Sequence, residues 1–131
     1  MAITNIVSVS SIYAGNAAWA LTTTLTTTLF TVASDVTVKV NAIIATNTSA
    51  TVVTNLTLQL FGLTDSGQSG VTLAGAIQTD IMIAAAIPVP GSDILSVIDR
   101  PIYLMEGDIL KGGASVATID LFISYEVIND A

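Results

Sequence analysis

The residues best suited to chemistry lie in one acidic neighbourhood, Asp93, Asp99, Glu106 and Asp108, with Arg100 inside it. Paired carboxylates at such spacing could serve a hydrolase, and carboxylate clusters can hold calcium. A calcium loop, however, sets acidic ligands at alternate positions around a supporting glycine within twelve residues. No stretch of this chain has that form. The carboxylates are therefore read as turn residues that keep the surface soluble, and the chain as non-enzymatic. It has no His and no Cys, which removes the commonest general base, the commonest transition-metal ligand, thiolate zinc sites and disulfides. No cofactor or metal site is expected.

Lys39, Arg100 and Lys111 are the whole basic complement against 10 acidic residues, for a net charge of -7. Three cations make no patch for a phosphate backbone, so no nucleic-acid partner is expected. On so acidic a surface the three could instead pair with neighbouring subunits. Arg100 stays open between that role and an ordinary intrachain surface pair worth at most about 1 kcal/mol. Trp19 could stack on a sugar, but packing in a core or an interface is the expected role. Around it Ala14-Gly15-Asn16-Ala17-Ala18 lacks charge and bulk, so Ser11 to Leu21 is read as a docking arm within residues 1–21. Asn47-Thr48-Ser49 and Asn55-Leu56-Thr57 match the glycosylation pattern but are read as chance matches in a Thr-rich chain.

The elements that would position these residues are strands. Hydrophobic residues make up 52% of the 131 positions, mostly Ala, Val, Ile and Leu, while only 10% are charged. Mean hydropathy is +0.79, yet the longest clean apolar run, Ile81 to Val89, is too short for a spanning helix of about 20 residues. The start does not read as a signal peptide: no Lys or Arg precedes Lys39, and Ser8, Ser10 and Ser11 interrupt its apolar positions. No membrane partner is expected.

A period of two dominates. Val7, Val9 and Tyr13 open a first strand. Leu21 to Val32 reads as a Thr-rich strand, because β-branched residues disfavour a helix. Ala33-Ser34-Asp35 turns the chain. Val36, Val38, Val40, Ala42 and Ile44 should then face one side, with Thr37, Lys39 and Asn41 opposite. Asn47 to Ala50 turns again, and Leu56, Leu58 and Leu60 mark the next strand. Thr64 to Gly70 reads as a polar loop, and Val71 to Ile77 as a short strand. Asp80 to Ile87, apolar on both faces, is either a doubly buried strand or a short helix, ended by Pro88-Val89-Pro90-Gly91. Shorter strands follow near Ile94–Ile98 and Pro101–Met105. Glu106-Gly107-Asp108 is a tight turn, and Lys111-Gly112-Gly113-Ala114 a bulge or turn. A last long strand carries Ile119, Leu121, Ile123, Tyr125 and Val127. Seven to nine strands with turns every ten residues or so predict an all-β fold: one antiparallel β-sandwich of jelly-roll type spanning residues 1–131.

The run from Ala20-Leu-Thr-Thr-Thr-Leu-Thr-Thr-Thr-Leu-Phe-Thr-Val through Asp35-Val-Thr-Val-Lys-Val-Asn-Ala-Ile-Ile-Ala-Thr-Asn-Thr-Ser resembles small β-sandwich virion structural proteins of tailed bacteriophages, especially those of aquatic bacteria and cyanobacteria. Pro101-Ile-Tyr-Leu-Met-Glu-Gly-Asp-Ile-Leu and Leu121-Phe-Ile-Ser-Tyr-Glu share the same habit: an acidic-Gly-Asp turn before a strand, and a closing Ile-Ser-Tyr-acidic strand. Where such proteins carry a Pro-Ala-Gly-like turn, this chain has Ala33-Ser34-Asp35. The resemblance covers about two-thirds of the chain and implies a particle component without chemistry of its own. Its expected place is the virion, assembled in the host cytoplasm, as an outer capsid decoration or cement protein on the major capsid protein. A neck or tail adaptor or fibre-base subunit is the runner-up, and a carbohydrate-binding adhesion module the third reading. Broad burial of a low-charge surface suits a closed homo-oligomer, most simply a trimer.

Overall fold

Alternating β-branched residues between short polar turns leave the backbone one economical solution, pairing in sheets with one face buried. The computed structural model describes residues 11–61, 80–98 and 100–129. Within them lie nine strands: β1 (Ser11–Ala20), β2 (Thr28–Thr31), β3 (Val36–Asn47), β4 (Thr54–Phe61), β5 (Ile81–Val89), β6 (Ile94–Ile98), β7 (Ile102–Leu104), β8 (Ile109–Ala114) and β9 (Ile119–Asn129). One sheet runs β1-β9-β3-β6, with β7 also on β3; the other runs β2-β8-β4-β5. Every pairing is antiparallel. The inner faces share one core around Val40, Ile43, Leu56, Leu58, Leu121 and Ile123. The fold is an all-β sandwich, as expected. No helix among the described residues is long and apolar enough to cross a membrane. The expected strand start at Val7 and Val9, the polar loop at 64–70 and the strand at 71–77 lie outside the described residues, as does Asp99.

Several local expectations are corrected by pairing. Along β3, Val38 and Val40 are buried, but so are Ile43 and Ala45 rather than Ala42 and Ile44. The register against β9 shifts between Val40 and Ala42, so one extra residue reverses which parity faces the core. The Thr-rich run is a strand only over Thr28–Thr31. Before it, Thr24 O accepts from the Thr27 hydroxyl at 2.9 Å and Thr22 Oγ1 meets Thr27 Oγ1 at 3.3 Å. Such hydroxyl bonds offer the backbone an alternative to a ladder. Leu21 still enters the core.

Lys111-Gly112-Gly113-Ala114 is no turn. It is the body of β8, in register with β4 from Leu56 to Phe61. The expected doubly buried or helical segment is β5, the outer strand of its sheet and partly exposed on both faces. It runs through Pro88, whose missing N–H is tolerated at an edge. The turn at Ala33-Ser34-Asp35 forms as expected, with Asp35 in the left-handed region at φ 59°. Its N–H donates to Glu106 Oε2 at 2.8 Å. Gly107, at φ 87°, makes the tight turn between β7 and β8.

Asn47 is buried at the end of β3. Its amide nitrogen donates to Val52 O at 2.7 Å and Val89 O at 2.9 Å, and its Oδ1 accepts from Ser49 N at 3.0 Å. The side chain thus ties the end of one sheet to the turn that enters the other. Asn47→Ala would strand buried carbonyls and should lower unfolding free energy by about 1–3 kcal/mol in urea titration. Asn55→Ala, at an exposed position, should change it by less than about 0.5 kcal/mol.

Candidate functional site

β5 touches β6 across the sandwich, so at the opposite side β2 faces β1. β1 has ten residues and β2 four. The second sheet therefore covers little of the inward side of β1, and a cleft of about 260 Å³ remains between them. Ala17 and Trp19 of β1, Phe30 of β2, Val38 of β3, and Tyr125 and Val127 of β9 form much of its wall. Trp19 stacks on Phe30 at a centroid separation of 6.4 Å and 13° between planes, and Phe30 on Tyr125 at 6.4 Å and 18°. These are offset-stacked separations. The Tyr125 ring lies over Gly15, where a Cβ would come within 2.7 Å of it. Among the described residues, none lining the cleft is charged. The cleft can take up apolar groups.

Trp19, expected in core or interface packing, is half-buried in this wall and packs against the core. The stretch expected as a docking arm is, over its described part, a full strand: Ser11 to Ala20 pairs with Asn129 to Asp120 without a register break. Lys39 stands in register with Glu126 on one side and Tyr103 on the other. Residues directly opposite in a ladder share a face, so this is a cross-strand pair of opposite charge on the outer face of the sheet. Lys111 belongs to the other sheet, where Nζ sits 4.0 Å from the centroid of the Phe61 ring, a cation–π contact. Arg100 is exposed between β6 and β7. The fold does not gather the cations into one site.

Two of the carboxylates act locally, while Glu106 reaches the Asp35 turn. Asp93 Oδ1 accepts from Ile94 N, and Asp108 Oδ2 from Met105 N, each at 2.8 Å. Asp108 is buried, against the expectation of a surface acid, because its turn tucks beside Val32, whose N–H donates to Asp108 O at 2.9 Å. Among the described residues no three His, Cys, Asp or Glu side chains come together to hold a metal ion.

Phe30 and Tyr125 are the cleft residues the linear reading did not assemble. Alternation with Ile123 already places Tyr125 inward, but nothing local joins it to Phe30, which is 95 positions earlier (125 − 30). No protein-family profile and no curated protein matches this chain.

Proposed function

We propose that this protein is a non-enzymatic structural subunit of a bacteriophage virion, an oligomeric decoration protein that packs on the major capsid protein across capsomer seams. The observation that carries this reading is the outer face of the β1-β9-β3 sheet. Ladder register puts Ile12, Ala14, Ala18, Ile44, Phe122, Ile94 and Tyr103 on that face, and among the residues so placed charge is confined to Lys39, Glu126 and Asp120. Ile12, Ile94 and Tyr103 are each more than half exposed. A broad apolar face of this kind marks a surface that another protein covers, and the phage resemblance, which takes in β3 and much of β9, points to the kind of assembly. Such a subunit works by adding apolar contact where neighbouring capsomers are pulled apart.

The test is addition of purified protein to expanded, undecorated capsids, followed by a density map of the particle. A defined copy number at symmetry-related positions on the head is expected. Copurification with tails alone, absence of capsid binding, or specific signal on a glycan array would overturn the assignment.

A further inference from the structure

Among the described residues, four strand edges bound the two sheets, and three of them are interrupted. β2 is four residues long, with a register shift between Thr28 and Phe30. β5 shifts register twice, contains Pro88 and holds Ala86 at φ 51°. The edge formed by β6 and β7 is split, with Pro101 between the two pieces. Bulges, prolines and short strands are the usual means of blocking edge-to-edge association. β1 has none of them: ten residues in unbroken register, no proline and no charge. Among the described residues, only β9 pairs with it.

We infer that β1 is a homodimer edge, pairing antiparallel with β1 of a second copy to join two five-stranded sheets into one. Two observations choose a second copy as the occupant. A chain of net charge -7 repels itself except where charge is lacking, and neither β1 nor any described residue lining the cleft beneath it carries charge. Second, β1 is complementary to itself. A twofold axis between antiparallel strands keeps each side chain on its own face, and so must pass midway between one residue and its own copy directly opposite. With Asn16 on the axis, nine residues pair, and Tyr13 lies opposite Trp19 of the second copy. Both belong to the inward row of β1, in register with Val127 and Leu121 of β9. Tyr13 is 62% exposed in the single chain, an inward-facing aromatic that its own second sheet leaves bare. The dimer would cover it twice with cross-strand aromatic pairs, and would bring the two Asn16 side chains together on the outer face. This assembly is twofold, not the trimer that composition alone suggests, and it does not depend on the virion assignment.

The chain has no cysteine, so Asn16→Cys gives a clean probe. Opposed Cβ atoms at the axis lie about 4.5–5.5 Å apart, close enough to bridge with small adjustment. Mild oxidation should convert N16C to a reducible species of twice the 13.4 kDa chain mass, while Asn55→Cys on β4 stays single. In the same register Ala14 opposes Ala18 of the second copy, and both are exposed. The Ala14→Lys/Ala18→Lys double variant should therefore keep its strand signal in circular dichroism yet bind itself at least about tenfold more weakly. Ala14→Glu/Ala18→Glu should behave alike, and an equimolar mixture of the two should recover the dimer mass in native mass spectrometry. A wild-type chain that stays monomeric at about 100 μM, a trimer unaffected by the lysines, or cross-linking of N55C as fast as N16C would overturn the inference.

Discussion

Gly113→Ala should lose about 3 kcal/mol of stability, an effect near the top of the range for overpacking a close-packed site. A Cβ at Gly113 would stand 2.5 Å from Thr24 O and 2.8 Å from Thr22 O. Both atoms are backbone and cannot step aside as a side-chain end could. They are also held. Ala114 N donates to Thr22 O and Gly112 N to Thr27 O, each at 3.0 Å, so the Thr22–Thr27 segment is laced along β8. Relief would need that segment to lift away and give up those bonds. The check is equilibrium urea unfolding followed by Trp19 fluorescence: the midpoint should fall with an unchanged slope. Ser115→Ala, two positions further along the chain and exposed, should lose no more than about 1 kcal/mol, the value of the single hydrogen bond that its hydroxyl accepts from Asn55 N.

Leu58→Ala is the second large loss, about 2–5 kcal/mol from transfer and cavity terms together. Leu58 is fully buried in β4, with Gly112 of β8 opposite it on one side and Ala84 of β5 on the other. Both neighbours are too small to swing into the vacated space, so the cavity should persist and the loss should fall in the upper part of that range. The leucine also fills the gap its glycine partner leaves: a Cβ on Gly112 would lie 2.5 Å from Leu58 Cδ2. The two positions are therefore coupled. In a double-mutant cycle, Gly112→Ala should cost less in the Leu58→Ala background than alone. Some cost remains, because Thr57 O stands 2.6 Å from the same Cβ. Additive losses would show that the two sites do not share this space. Leu60→Ala, nearer the margin of the core, should lose less than Leu58→Ala.

Much of the sandwich is legible in the chain because alternation is a local property. Leu56, Leu58 and Leu60 point inward as their spacing predicts, and so do Ile119, Leu121 and Ile123. The turns at Asp35 and Gly107 sit where small and acidic residues announce them. β3 shows where this reasoning ends. Ala42, Ile43, Ile44 and Ala45 are all apolar, so either parity satisfies the local pattern. The bulge near Asn41, created by pairing with β9, decides between them. Gly112-Gly113 misleads for a related reason. Adjacent glycines normally signal a turn, but here Gly113 admits the carbonyls of Thr22 and Thr24, about ninety positions earlier (113 − 24 = 89), and Gly112 admits the Leu58 side chain and the Thr57 carbonyl.

The candidate site divides in the same way. The uncharged character of Ser11–Ala20 and the presence of Trp19 within it are plain from the residues. Their meaning changes once β1 is seen as a continuous edge strand beside a short β2. The cleft exists because one strand has ten residues and the strand facing it has four, and neither length is fixed by its own residues alone. Asn47 makes the same point: its sequence context suggests a glycan acceptor, while its buried amide clasps Val52 and Val89.

By itself, then, the sequence determined the all-β class, most turn positions, the lack of histidine and cysteine chemistry and a surface poor in charge. These follow from residue types and a period of two, which act over a few positions. Only the tertiary structure decided the phase of β3, the central placement of Gly112 and Gly113, the burial of Asp108 and the open flank at β1. Each depends on which backbone lies alongside, and in an antiparallel sandwich that neighbour is set by pairings between residues far apart in the chain.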